Sequence, residues 1–431
     1  MKLLLKNGRV IDPSSGTDGK LDILIEKGKI VDIKARIESK GAKVIDASRL
    51  VVAPGFIDMH VHLREPGQED KETIATGAAA AAKGGFTSIA CMPNTDPVND
   101  NRGLTEYILS EAKKKAVVNI FPIASITKGQ RGEELTDMAD LVDAGAVAFS
   151  DDGQSVESSQ IMRRALEYSK PLNTLIIEHC EDKNLSSEGV MHEGYYSYLF
   201  GLSGIPASSE EIMVARDTIL AQEVEANIHI AHLSVKGAVD IVRNAKKKKI
   251  KVTAEVTPHH LFLTDSYLEN YDTSLKVNPP LRSKEDVQAL IQAVKEGIVD
   301  VFATDHAPHT QDEKDVEFDK APFGINGIET AVSLLLDRLV SKNIISLKRF
   351  IKMISTTPSL ILGLENKGKI CVGADADLTI LNLNKEIVVD VSTFKSISRN
   401  NPFQGWKLKG TPAMTIVGGK IVYPFFSSKS L

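Results

Sequence analysis

Between about residues 53 and 362 the chain alternates short apolar runs with longer stretches whose apolar positions recur every three to four residues. The short runs, over 55–60, 87–92, 117–125, 146–150, 174–179, 228–232, 251–256 and 299–304, read as strands. The stretches over 71–83, 104–115, 160–168, 209–223, 235–247 and 283–295 read as helices. Eight strands with helices between them predict an α/β fold, a (β/α)8 TIM-type barrel. A doubly wound open sheet is the alternative. It would bind at a switch point, and no glycine-rich phosphate loop marks one; Gly84-Gly85-Phe86 reads as a helix-to-strand turn.

The two ends have a different rhythm. LLLKNGRVID and DILIEKGKIVDI place apolar runs around Asn7-Gly8 and Lys27-Gly28. LTILNLNKEIVV and AMTIVGGKIVY have the same strand-turn-strand character near the far end. Residues 1–52 and 363–431 therefore predict one small β-sandwich domain built from both termini, with residues 53–362 forming the barrel.

Composition narrows the class. The 431 residues are 42% hydrophobic and 25% charged with a net charge of −5, ordinary values for a globular protein. There is no basic stripe of the kind nucleic-acid binding needs, and Lys246–Lys249 reads as the solvated end of a helix. No apolar run is long enough to span a bilayer, and the apolar start of MKLLLKNGRVIDP is too short for a signal segment. Three cysteines, at 91, 180 and 371, form no C-x-x-C pair and predict no disulfide framework. The expected compartment is the cytoplasm.

The candidate chemistry begins at VVAPGFIDMHVHLREP, residues 51–66. Ile57, Met59 and Val61 alternate with Asp58, His60 and His62, so both imidazoles face one side of a strand and can hold one metal ion. Other ligand-type residues fall at the ends of other runs: Asp151 and Asp152, His179, His232, and Asp305 with His306. Polar residues at the ends of separate strands are how a barrel builds a site. Four neutral imidazoles and two carboxylates suffice for two zinc-type ions, each keeping a position for water. Paired ions lower the pKa of a shared water towards hydroxide and polarise a carbonyl, so the class of reaction is hydrolysis at a carbonyl carbon. Asp151 and His306 read as structural, His259 and His260 as supporting, and His192 and His229 as without function.

The set GFIDMHVHLREPG, MPNT, FSDDG, EHCED, TPHHL, NPPLR and ATDHAPH resembles the amidohydrolase superfamily, and within it the longer bacterial dihydroorotases, over nearly the whole chain. The resemblance implies that His60, His62 and Asp305 hold one zinc, that His179 and His232 hold a second, and that Asp152 bridges them. One of the two sites is expected to be the less fully occupied. Asp305 is implied as the catalytic general base and acid. His62, Arg64, Asn94, Asn278, His309, Phe323 and Gly324 are implied as contacts to the substrate. The reaction implied is the reversible closure of N-carbamoyl-L-aspartate to L-dihydroorotate in pyrimidine synthesis, through metal-activated hydroxide. Many amidohydrolases bridge their metals with a carboxylated lysine. The end of strand four here has no lysine, which favours an aspartate bridge and counts against a hydantoinase or allantoinase. A non-catalytic scaffold for the aspartate transcarbamoylase of the pathway is the rival from another class, and the full ligand set counts against it. A homodimer and a complex with that transcarbamoylase both remain open. The polar, acidic segment 309–322 reads as a lid carrying His309.

Overall fold

The computed structural model describes residues 2–38 and 40–424. Its centre is a parallel sheet of eight strands in chain order: Phe56–Val61, Phe86–Cys91, Asn119–Ala124, Ala148–Phe149, Leu175–Glu178, Ile228–Ile230, Val252–Val256 and Val301–Phe302. The sheet nearly closes on itself. Val61 forms a parallel bridge with His306, and the His62 amide donates to His306 O at 2.9 Å. Asp58 adds a side-chain link across the same seam, accepting from the Thr304 amide at 3.1 Å and its hydroxyl at 2.6 Å.

Two of the crossover helices show how sequence chemistry sets their ends. Ile74–Gly84 begins at a Thr73 capping box and ends on Gly85 in the left-handed region (φ 92°). Lys284–Glu296 begins at a Ser283 capping box and ends on left-handed Gly297. The six expected helices are present, at Ile74–Gly84, Arg102–Lys115, Ser159–Ser169, Ala207–Val224, Lys236–Lys247 and Lys284–Glu296. Further helices fall outside that expectation. Met138–Ala144 is seven residues, too short for a periodic signal. A broken run of helical pieces from Ala331 to Ile361 follows the last strand, its pieces of five residues each too short for a clear periodic signal. It carries Phe350, whose ring packs edge-on to Phe56 at 5.6 Å between centroids. Truncating a fully buried ring such as Phe56 costs about 3–5 kcal/mol.

The ends of the chain form a second, mainly antiparallel sheet of eight strands. Its path runs Lys420–Tyr423, Lys407–Val417, Leu378–Val388, Val51–Pro54, Lys2–Asp12, Thr17–Glu26, Lys29–Lys34, with Lys43–Asp46 beside Lys2–Asp12. Leu3, Leu5, Ile23, Ile25, Leu378 and Ile416 bury their side chains together there. Thr379 stitches this sheet to the barrel: its hydroxyl accepts from the Phe56 amide at 3.1 Å and donates to Gly85 O at 2.7 Å. Thr415 does the same to Ala82 O at 2.7 Å. These contacts fix the first barrel strand, at whose far end the histidines stand.

Candidate active site

The carboxyl ends of the strands bring ligand-type side chains from five of them to one point. His60 is fully buried at the end of the first strand, and His62 stands just beyond it. Their rings lie 5.4 Å apart. Asp152 sits between the imidazoles. Its Oδ1 lies 3.3 Å from His60 Nε2, 3.5 Å from His232 Nε2 and 3.7 Å from His179 Nδ1, and its Oδ2 lies 3.4 Å from His62 Nε2. Asp305 Oδ1 faces the other side, 3.1 Å from His62 Nε2 and 3.6 Å from His60 Nε2. His179 Nδ1 and His232 Nε2 approach to 2.9 Å. Two backbone positions hold this convergence in the left-handed region, His232 (φ 27°) and Asp305 (φ 45°). For non-glycine residues such geometry costs on the order of 1–3 kcal/mol each and survives only where the surroundings impose it.

Whether these residues suit a metal is answered by their unused atoms. His60 Nε2 and Asp152 Oδ1 are buried and have no hydrogen-bond partner among the described residues. His60, Asp152 and His232 can converge on one ion, as can His60, His62 and Asp305. The donors are imidazole nitrogens and carboxylate oxygens with no thiolate, the set that suits zinc-like divalent ions. Electrostatics agree. Burial alone would raise the Asp152 carboxyl, yet His60, His232 and His62 around it hold it well below the ordinary carboxylate range. Burial likewise opposes ionisation of Asp305, and the hydrogen bond from His62 with the nearby imidazoles overrides it. An anionic pair among imidazoles is an arrangement that can hold a cation.

The residues expected to meet a substrate line one cavity of about 440 Å³ above this cluster: Arg64, Asn94, Asn278, His309, Phe323 and Gly324, with His62 at its floor. Arg64 reaches the cavity from beyond the end of the strand. The strand ends at Val61, and Arg64 turns through the left-handed region (φ 63°). Its Nε donates to Pro308 O at 3.2 Å, and among the described residues no carboxylate is ion-paired with it. Burial pulls its guanidinium down to about 10. Asn94 Oδ1 accepts from His62 Nδ1 at 2.8 Å, which leaves the amide nitrogen of Asn94 free to donate. Asn278 Nδ2 donates to Glu181 Oε2 at 3.0 Å, which leaves its oxygen as the acceptor. His309 Nε2 lies 2.8 Å from Phe323 O, and burial beside Arg64 and Lys314 holds its imidazole neutral, near 3. The segment after it folds into a turn of helix at Gln311–Lys314, pinned by Lys314, whose Nζ donates to Pro322 O at 2.7 Å and Thr273 O at 3.1 Å. A second cavity, of about 450 Å³ at the opposite end of the barrel and bordered by Val147, Leu175, Ile228 and Leu362, has no histidine or carboxylate in its wall.

Asp151 and His306, read from sequence as structural, are tied to neighbouring elements. Asp151 accepts from Ser125 Oγ at 2.6 Å and the Ile126 amide at 2.9 Å, and His306 Nε2 lies 3.3 Å from Glu72. Sequence reasoning passed over Glu255, Glu181 and Lys314. A carboxylate inside the apolar strand Val252–Val256 was a signal for the first. Nothing in the local pattern marks the other two.

A parallel barrel with imidazoles and carboxylates converging at its carboxyl face, beside a cavity lined by a buried arginine, defines an amidohydrolase. Similarity to known proteins agrees. The family model described as Dihydro-orotase-like matches residues 48–238, and that of the Amidohydrolase family matches residues 248–423. The solved structure of a D-hydantoinase superposes with a TM-score of 0.86 at 27% identity, covering 98% of this chain and 95% of the other. Dihydropyrimidinase from Brevibacillus agri gives 0.84 at 26% identity with the same coverage. Curated relatives are closer in sequence: the dihydroorotase of Pelotomaculum thermopropionicum is 53% identical over 98% of both chains, and that of Acetivibrio thermocellus 50% over 97% of this chain and 98% of its own. The chain belongs to the dihydroorotase family and is a hydrolase acting on the C–N bond of a cyclic amide.

Proposed function

We propose that this protein is a zinc-dependent dihydroorotase that interconverts N-carbamoyl-L-aspartate and L-dihydroorotate in pyrimidine synthesis. The observation that carries the reading is the pairing of an ion-ready cluster, Asp152 encircled by four imidazoles, with an arginine in the wall of the same cavity that has no carboxylate ion-paired with it among the described residues. His60, His62 and Asp305 would hold one zinc and His179 and His232 the second, with Asp152 available to both. When bound, the ions polarise the ring carbonyl and acidify the attacking water.

The remaining work falls to side chains. Arg64 and the Asn94 amide nitrogen grip the substrate carboxylate, a charge-assisted contact in a poorly solvated place. The Asn278 oxygen accepts from a ring N–H, and the backbone at Phe323 and Gly324 meets the ring. Asp305, held ionised by its imidazole neighbours, takes the proton of the attacking water as the C–O bond forms. It returns that proton to the ring nitrogen as the C–N bond breaks. Ring closure runs the same steps backwards. Residues 53–362 act as the catalytic unit, with 1–52 and 363–431 as its supporting domain, and the cytoplasm is the proposed compartment.

The deciding experiment is ring opening of dihydroorotate by the purified chain, with zinc added and after chelation, with hydantoin and allantoin alongside. Zinc-dependent turnover of dihydroorotate alone is the expected result. Turnover of hydantoin in preference to it would overturn the substrate assignment.

A further inference from the structure

Glu255 is fully buried in the seventh barrel strand, and among the described residues no lysine or arginine is ion-paired with it. Its Oε1 lies 2.7 Å from Nδ1 of His60. The same oxygen accepts from the backbone amide of His232 at 3.1 Å. Its Oε2 lies 3.1 Å from Nε2 of His229, whose Nδ1 lies 2.8 Å from the Thr253 hydroxyl. The carboxylate can only accept, so both imidazoles present N–H to it. As a metal ligand, which must be neutral, His60 is thereby fixed in the tautomer whose Nε2 lone pair faces the Asp152 side. His229 is fixed with Nδ1 as acceptor, and Thr253 donates to it.

His60 and His232 belong to different strands, and in the metal reading they serve different ions. One oxygen of Glu255 touches the side chain of the first and the main chain of the second. The amide it holds on His232 belongs to a residue in the left-handed region, which relaxes unless something restrains it. The next amide, Leu233 N, donates to the main-chain oxygen of the same Glu255 at 3.0 Å. We infer that Glu255 is the positioning residue shared by both metal positions, and that His229 and Thr253 keep it in place. Partners behind a ligating histidine set its tautomer and ring orientation, and losing one typically costs about 10–100-fold in metal affinity. Ordinarily such a partner serves one ligand; here one carboxylate serves two. His229, read from sequence as without function, then has one.

The inference rests on the metal reading of the site, and its test separates the two. Metal-free parent, Glu255→Ala and Glu255→Gln proteins are titrated with zinc against a chromophoric chelator. Circular dichroism and the Tm of each metal-free form are measured in parallel. The expected result is a folded Glu255→Ala protein in which both zinc-binding steps weaken, by about 10–100-fold. Glu255→Gln, which still offers a carbonyl oxygen to His60, should fall between it and the parent at both steps. If Glu255→Ala does not fold, the Gln variant decides alone: weakening at both steps supports the inference, and parental affinities overturn it. A purely structural role would lower the metal-free Tm while leaving both steps at parental strength, and that outcome overturns the inference. So does weakening confined to one step. A parent that binds no zinc removes the metal reading and this inference together, whereas a parent binding two ions beside an unaffected variant removes only this one.

Discussion

At the scale of single residues, charge without a partner is what separates the working side chains from the supporting ones. Asp151 and Asp152 are adjacent, yet Asp151 is saturated by Ser125, Ile126 and Thr127, whereas an oxygen of Asp152 has no hydrogen-bond donor. Arg64 and Arg282 are both buried, but Arg282 donates to Ser234, Ile205 O and His192, while Arg64 lines the cavity with its Nε on Pro308 O and one outer nitrogen 3.4 Å from His309 Nε2. Arg64→Ala should therefore raise KM for dihydroorotate by about 10–100-fold, the effect of losing a charged hydrogen bond of roughly 1.5–3 kcal/mol, with a smaller change in kcat. Asp305→Asn, unable to accept a proton, should lower kcat by at least about 100-fold while leaving the Tm of the metal-free protein near that of the parent. Steady-state kinetics on dihydroorotate check both, and an Asp305→Asn enzyme with parental kcat removes the proposed proton path.

His192 gives a residue-scale test of stability against pH. Burial, with Arg282 beside it, lowers its imidazole to about 4 from an unfolded value of 6.5. The folded form thus binds fewer protons than the unfolded form between those values, so stability rises with pH there. Its contribution is complete above about 6.5 and is lost as pH falls towards 4, by roughly 2–3 kcal/mol. His192→Gln still offers an oxygen to Arg282 and does not titrate. Urea denaturation at pH 7 and pH 4.5 should show a smaller acid loss in the variant than in the parent; equal losses would remove His192 as a cause.

At the scale of elements, the segment after the eighth strand shows how a polar loop becomes part of a site. Residues 309–322 carry mostly charged and polar side chains, yet Lys314 is drawn inward to meet main-chain oxygens of Thr273 and Pro322, and Phe318 is buried. Gly324 at its end sits at φ 149°, and a Cβ there would lie 2.8 Å from Ala307 O. Lys314→Ala should loosen the segment without disturbing the histidines below. The expected result is faster amide hydrogen exchange over 309–323 and a KM raised by roughly tenfold, as for one lost charged donor. Unchanged exchange would mean that the segment holds its place without Lys314.

At the scale of the whole molecule, the site is assembled from residues far apart in the chain, so bound metal should report on global folding. Ions that bind the folded chain and not the unfolded one stabilise it by about 2.7 kcal/mol per site at 100 times Kd. Chelation should lower the Tm, and zinc should restore both the Tm and activity. A Tm indifferent to zinc would argue against a site built from separate strands.

Much of this was legible along the chain, because its signals are local. Alternation placed His60 and His62 on one face, strand-length apolar runs gave the barrel, and turn residues gave the terminal sheet. The family resemblance named the residues that now line one cavity, Asn94, Asn278 and Phe323 among them. Tertiary structure alone decided the rest. Arg64 reaches the cavity through a left-handed turn beyond the end of its strand. Glu255 meets His60 across 195 positions, a distance at which local periodicity carries no information. The difference between Asp151 and Asp152 likewise depends on which donors the neighbouring strand delivers. A sequence fixes which groups are available and which face of an element they take; which of them are left without partners is set only when the elements pack.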